Sequence, residues 1–109
     1  MTTFDKREQA YEAHFALDQE SEFRAQARRN RRLAQWAGER MGLSGAELEA
    51  YIPTVQRADL KEAGDDDVLQ KVLADLAGKN VEVLPHELRE RMDALLQEAR
   101  REIKEGLAG

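Results

Sequence analysis

Residues 85–104 read PHELRERMDALLQEARREIK. Leu88, Met92, Leu95, Leu96, Ala99 and Ile103 recur at intervals of three and four, with charged residues between them. That is the period of a helix with one apolar face, not the alternation of a half-buried strand. Pro85 suits the first helical position, where its missing N–H forfeits no bond. Gly106 offers a stop. An amphipathic helix cannot cover its own stripe, so the rest of the chain must supply the partners.

Upstream, Val68, Leu69, Val72, Leu73 and Leu76 form a second stripe of the same period. Asp65, Asp66 or Asp67 is expected to cap this helix and Gly78 to end it. Val81 to Leu84 is a connector, since one short extended piece has no partner strand. Before that, Leu48, Tyr51, Ile52 and Val55 make a third stripe, introduced by Ser44 and Glu47 at capping-box spacing. Pro53 interrupts it, and an interior proline costs about 3 kcal/mol. A kink is expected there, or a short turn with the helix resuming after it. The first helical pattern runs from Thr3 to Met41, with Thr3 as N-cap, Asp5 in the first turn and Gly42 as the stop. Four helices and no strands predict an all-α antiparallel four-helix bundle with a long first helix.

The chain has 109 residues, enough for one small domain. It has no Cys, so no disulfide or thiolate metal site is available. No apolar run approaches the length of a membrane span, and the N-terminus lacks the apolar core of a secretory signal. A soluble intracellular protein is expected. The net charge of −5 is unevenly placed. Residues 1–22 carry six acids and two bases, whereas residues 23–41 carry six Arg and one Glu.

The first helical pattern is too long for its partners. Continuous from Thr3 to Met41, it would span about 57 Å, while its neighbours can cover about 20 of its residues. At about 100° per residue, Phe23, Ala27, Asn30, Ala34, Ala37 and Met41 share one wide face, with Leu33 and Trp36 at its flank. Phe4, Tyr11 and Phe15 share another, rotated by about 100°. Either these aromatics fold back onto the core, or residues 1–18 form an arm, flexible or helical, that orders on a partner. The length mismatch and the rotated face agree on the arm. Residues 19–109 then make up the four-helix domain.

Candidate chemistry is sparse. Ser21 and Ser44 have no His and acid at useful spacing. His86 and Glu90 lie one helical turn apart and make a surface pair more readily than a metal site. Asp65-Asp66-Asp67 lacks the alternating ligands of a calcium loop. No glycine-rich phosphate loop occurs. An enzyme is not expected. In Arg28-Arg29-Asn30-Arg31-Arg32, the wheel puts Arg24, Arg28, Arg31 and Arg32 on the outer face. The acidic chain offers no recognition helix or stacking platform beside them, so a solvated face outweighs nucleic-acid binding. Docking to an acidic partner or to nucleotide phosphates stays open.

A longer pattern now stands out. Met1-Thr2-Thr3-Phe4-Asp5, Arg7-Glu8, Glu12-Ala13, Phe15-Ala16, Ala27-Arg28-Arg29-Asn30 and Trp36-Ala37 belong to it. Gly42-Leu43-Ser44-Gly45, Ala50-Tyr51, Gly64-Asp65, Asp67-Val68 and Lys71-Val72-Leu73-Ala74-Asp75 continue it. In these residues the chain resembles the zeta subunit of alphaproteobacterial F-type ATP synthases. The resemblance covers the whole chain in order, most strongly residues 1–76. It implies a regulatory inhibitor whose N-terminal segment enters an interface of the catalytic head, formed by the alpha, beta and gamma subunits. There it becomes helical and blocks hydrolytic rotation. Carried over, the partner-binding residues are Phe4, Asp5, Arg7, Glu8, Tyr11, Glu12 and Phe15, with the aromatics as buried anchors and Arg7, Glu8 and Glu12 setting register.

The same resemblance implies a cytoplasmic protein, monomeric when free and peripheral to the inner membrane, with no membrane insertion. It implies no required cofactor, but weak ATP or ADP binding at no assigned site. The alternative function is a small helical binding module for adenine nucleotide with little inhibitory activity. The chain departs from the family pattern at His14, where Lys is expected, at Pro53, and at Leu60 to Ala63.

Overall fold

The computed structural model describes residues 17–58 and 66–106. Four helices account for most of them: α1 (Gln19–Arg40), α2 (Gly45–Ala58), α3 (Asp66–Gly78) and α4 (Pro85–Lys104). No strand occurs among the described residues. The all-α four-helix reading therefore holds. Helix α1 lies at the centre and packs against the other three, and α3 also meets α2 and α4. As partners on α1 step back from Trp36 to Arg32 to Arg28, those on α4 step forward from Arg91 to Glu98 to Glu102. The two helices are antiparallel.

The first helix starts later than the sequence pattern suggests. Leu17 and Asp18 are not helical. Asp18 has an extended backbone (φ −66°, ψ 170°), and its carboxylate accepts a 2.7 Å hydrogen bond from the Ser21 N–H. Asp18, not Thr3, is thus the N-cap of α1, which has 22 residues instead of 39. Glu20 and Glu22 follow in the first turn, where the positive helix end favours carboxylates. Thr3 lies outside the described residues, as do Asp65, Leu60 to Ala63 and His14.

The helix stops are specific. Gly42 takes φ +84°, Leu43 N–H donates to the Gly38 carbonyl at 2.8 Å, and Gly42 N–H donates to that of Glu39 at 3.0 Å. These are the two bonds of a Schellman cap, with glycine where expected. At the end of α3 the same pair of bonds runs from Val81 to Leu76 and from Asn80 to Ala77. The left-handed residue there is Asn80 (φ +61°), so Gly78 is not the stop but the last helical residue. Helix α2 passes through Pro53 without a break. Pro53 is exposed, so the carbonyl it strands on Glu49, also exposed, faces water. Thr54 Oγ1 donates to the Tyr51 carbonyl at 2.6 Å within the same turn.

The core has two parts. The larger joins Leu33, Ala34 and Ala37 of α1 to Ile52, Val55 and Ala58 of α2, Val68, Leu69, Val72 and Leu76 of α3, and Leu88 and Met92 of α4. Burying each large aliphatic side chain here contributes about 1.5–3 kcal/mol. The smaller unites only Ala25 with Leu96 and Ala99, flanked by Leu17 and Ile103. Among the described residues, the apolar support of the first turns of α1 comes from α4 and from Leu17. Phe23 sat on the expected buried face, yet it is 61% exposed.

Candidate functional site

The point where residues 1–16 join the bundle is built with care. Leu17 is half-buried against the smaller core, and the Asp18 cap turns the chain into α1 directly after it. Accepting the Ser21 N–H holds the Asp18 carboxyl below the usual aspartate range.

Beyond the cap, α1 is fastened to α4 by charge. Arg100 clamps Glu22 with Nε at 2.9 Å from Oε1 and Nη2 at 2.6 Å from Oε2. Gln26 Nε2 donates to the same carboxylate at 3.4 Å. Arg28 Nη1 donates to Glu102 Oε1 at 2.8 Å, and Arg32 reaches both Glu102 oxygens at 2.7 and 3.1 Å and Glu98 at 3.1 Å. Arg29 is fully buried, its Nε donating to Asn30 Oδ1. The hydrogen bond from Arg100 holds the Glu22 carboxyl below its usual range, and that from Arg32 does the same for Glu102. Arg32 is held above its ordinary value, chiefly by its bonds to Glu102.

This overturns the solvated-face reading of the arginine run. Arg24 and Arg31 are exposed, but Arg28 and Arg32 turn onto α4. The wheel cannot reveal this, because their partners lie 66–74 residues away. The signal was present in Glu98 and Glu102, one turn apart on α4 and matching the basic run. The α1–α4 seam is thus a network of arginine and carboxylate, bidentate at Arg100–Glu22 and Arg32–Glu102, which fixes the geometry of the contact as well as adding energy.

At the other end of α1, Trp36 lies beneath Arg91, 4.4 Å from the ring centroid, with Arg40 at 5.5 Å. Tyr51 donates its hydroxyl to Asp75 Oδ2 at 2.8 Å, and Lys71 donates to the same atom at 2.9 Å. Burial, then the bond to Asp75, pushes the Tyr51 phenol well above its usual value. Asp66 pairs with Arg89 at 2.6 Å. Among the described residues no group of three or more His, Cys, Asp or Glu could hold a metal, and no helix is long and apolar enough to cross a membrane.

The expected partner-binding residues, Phe4, Asp5, Arg7, Glu8, Tyr11, Glu12 and Phe15, lie outside the described residues. What the structure places is their point of attachment and the braced helix behind it. No curated protein gives a significant match to the chain. The family model described as ATPase inhibitor subunit zeta matches residues 1–102, nearly the full length and including residues 1–16. The chain therefore belongs to the ATPase inhibitor subunit zeta family.

Proposed function

We propose that the chain inhibits ATP hydrolysis by the F-type ATP synthase by inserting residues 1–18 into an interface of the catalytic head. The observation that carries this reading is the family match, whose span from residue 1 takes in the arm as well as the bundle. Phe4, Tyr11 and Phe15, spaced seven and four apart, place three aromatics on one side of a helix. Buried aromatics dominate interfaces of this kind. Arg7, Glu8 and Glu12 lie beside or behind that stripe and fix register by charge, and Asp5 belongs to the same segment.

The bundle supplies the resistance. An inserted segment that blocks rotation transmits force to whatever holds it. The Glu22–Arg100 clamp and the Arg28–Glu102–Arg32 lattice tie the first turns of α1 to α4, so force on residue 18 is shared by two helices. The partner is the catalytic head, and the site of action is the ATP synthase.

The test is a titration of purified catalytic head with the full chain and with a Phe4→Ala/Tyr11→Ala/Phe15→Ala variant. The reading predicts that the variant requires at least about a hundredfold more protein for half-inhibition, since each lost anchor costs more than 1 kcal/mol. Equal potency of the two would reject it.

A further inference from the structure

Phe23, Ala27, Asn30, Ala34 and Ala37 follow one another on α1 at spacings of four and three, the row of a single face. Along its C-terminal part this face is sealed: Asn30, Ala34 and Ala37 are at most 1% exposed. Toward the N-terminus the cover ends. Ala27 is half-buried and Phe23 is 61% exposed, because the core that includes α2 and α3 takes α1 residues only from Leu33 onward. Arg24 and Arg31, beside this row, are also exposed, and neither forms an ion pair among the described residues. Of the other arginines of the run, Arg28 and Arg32 pair with α4, and Arg29 is buried beside Asn30. What is left is an exposed aromatic side chain on α1, with Arg24 next to it and near Asp18, and Arg31 two turns further on along the same side.

We propose that Phe23, with Arg24 and Arg31, is a second contact of the chain with the catalytic head: an aromatic anchor that seats in an apolar depression rimmed by carboxylates, next to the opening the arm enters. The inference rests on the reading that residues 1–18 insert there. Continuity argues for this occupant. Phe23 lies five residues past the Asp18 cap, about 7.5 Å along the helix axis. A body that holds residues up to 18 must come close to it. Charge argues for the carboxylate rim, since two exposed arginines, neither held in an ion pair among the described residues, would repel a basic one. The inserted arm and Phe23 then form one continuous interface, and the braced α1–α4 seam holds them in fixed relation.

Two full-length variants separate this inference from the reading beneath it. Phe23→Ala is expected to raise the concentration for half-inhibition about tenfold while leaving the thermal midpoint unchanged, as an exposed side chain should. Arg24→Glu/Arg31→Glu should slow association and reverse its salt dependence. If the triple arm variant loses potency and Phe23→Ala does not, the second contact is refuted and the arm stands. If neither loses potency, both fall. Direct contact is read by p-benzoylphenylalanine introduced at position 23: irradiation with the head should cross-link it to a head subunit. Cross-linking from position 15 with none from position 23 would overturn the proposal.

Discussion

Arg28 Nη1 lies 2.8 Å from Glu102 Oε1, across 74 residues of chain, with side chains only 7% and 14% exposed. The pair joins α1 to α4 in the part of the seam where the smaller core supplies few large apolar side chains. Glu102 also receives Arg32, so its loss would leave two arginines without their shared acceptor. Glu102→Gln is expected to destabilise the fold by about 1–2 kcal/mol, below the figure for a fully buried pair because solvent still reaches the carboxylate. Urea unfolding measures it, with the slope unchanged.

The same contacts set the response to acid. The bonds from Arg100 and Arg32 hold Glu22 and Glu102 below the usual glutamate value of 4.5 in the folded chain. As the pH falls below that value, the unfolded chain takes up protons first, which pulls the equilibrium toward it. The stabilisation is complete above the usual value and drains away as the pH falls through the lowered ones. The urea midpoint should hold between about pH 7 and 5 and then drop. In Glu102→Gln the drop should be shallower. A midpoint indifferent to acid would mean that the seam contributes nothing.

Gly38 of α1 sits against Leu48 and Tyr51 of α2. A Cβ there would collide with Leu48 Cδ1 and lie 3.5 Å from Tyr51 Cδ2. Leu48 is half-buried and can swing its methyl aside, so Gly38→Ala is expected to be nearly neutral, the clash offset by better helix propensity. Gly38→Val adds bulk that a rotation cannot absorb and should cost about 1–3 kcal/mol. Thermal midpoints of the two variants check the contrast.

Pro53 lies inside α2, on its exposed side. Pro53→Ala restores one backbone bond to Glu49 and removes the ring, and should stabilise the fold by about 1–2 kcal/mol. A loss of stability would show that the proline shapes the packing of Ile52 and Val55.

The helices were legible where the cause is local. The stripe from Leu88 to Ile103 and the Gly42 stop need only residues a few positions apart. Asp18 was passed over because nothing between Thr3 and Gly38 breaks helix propensity. An Asp followed at once by Glu20 and Glu22 was the missed signal for a new helix start. The exposure of Phe23 was not legible: the wheel put it on the buried face, but α2 and α3 join the core only from Leu33 onward. The role of Arg28 and Arg32 depended on α4 lying antiparallel, a tertiary fact no wheel contains. The residues proposed to inhibit rest on the family resemblance and lie outside the described residues.

The most direct measurement of the central claim is steady-state ATP hydrolysis by purified catalytic head, titrated with the full chain and with a chain lacking residues 2–18. The full chain should drive hydrolysis toward zero, while the shortened chain should leave it near the uninhibited rate at the same concentrations. Equal inhibition by both chains would contradict the account, placing the inhibitory surface on the bundle and not on the arm.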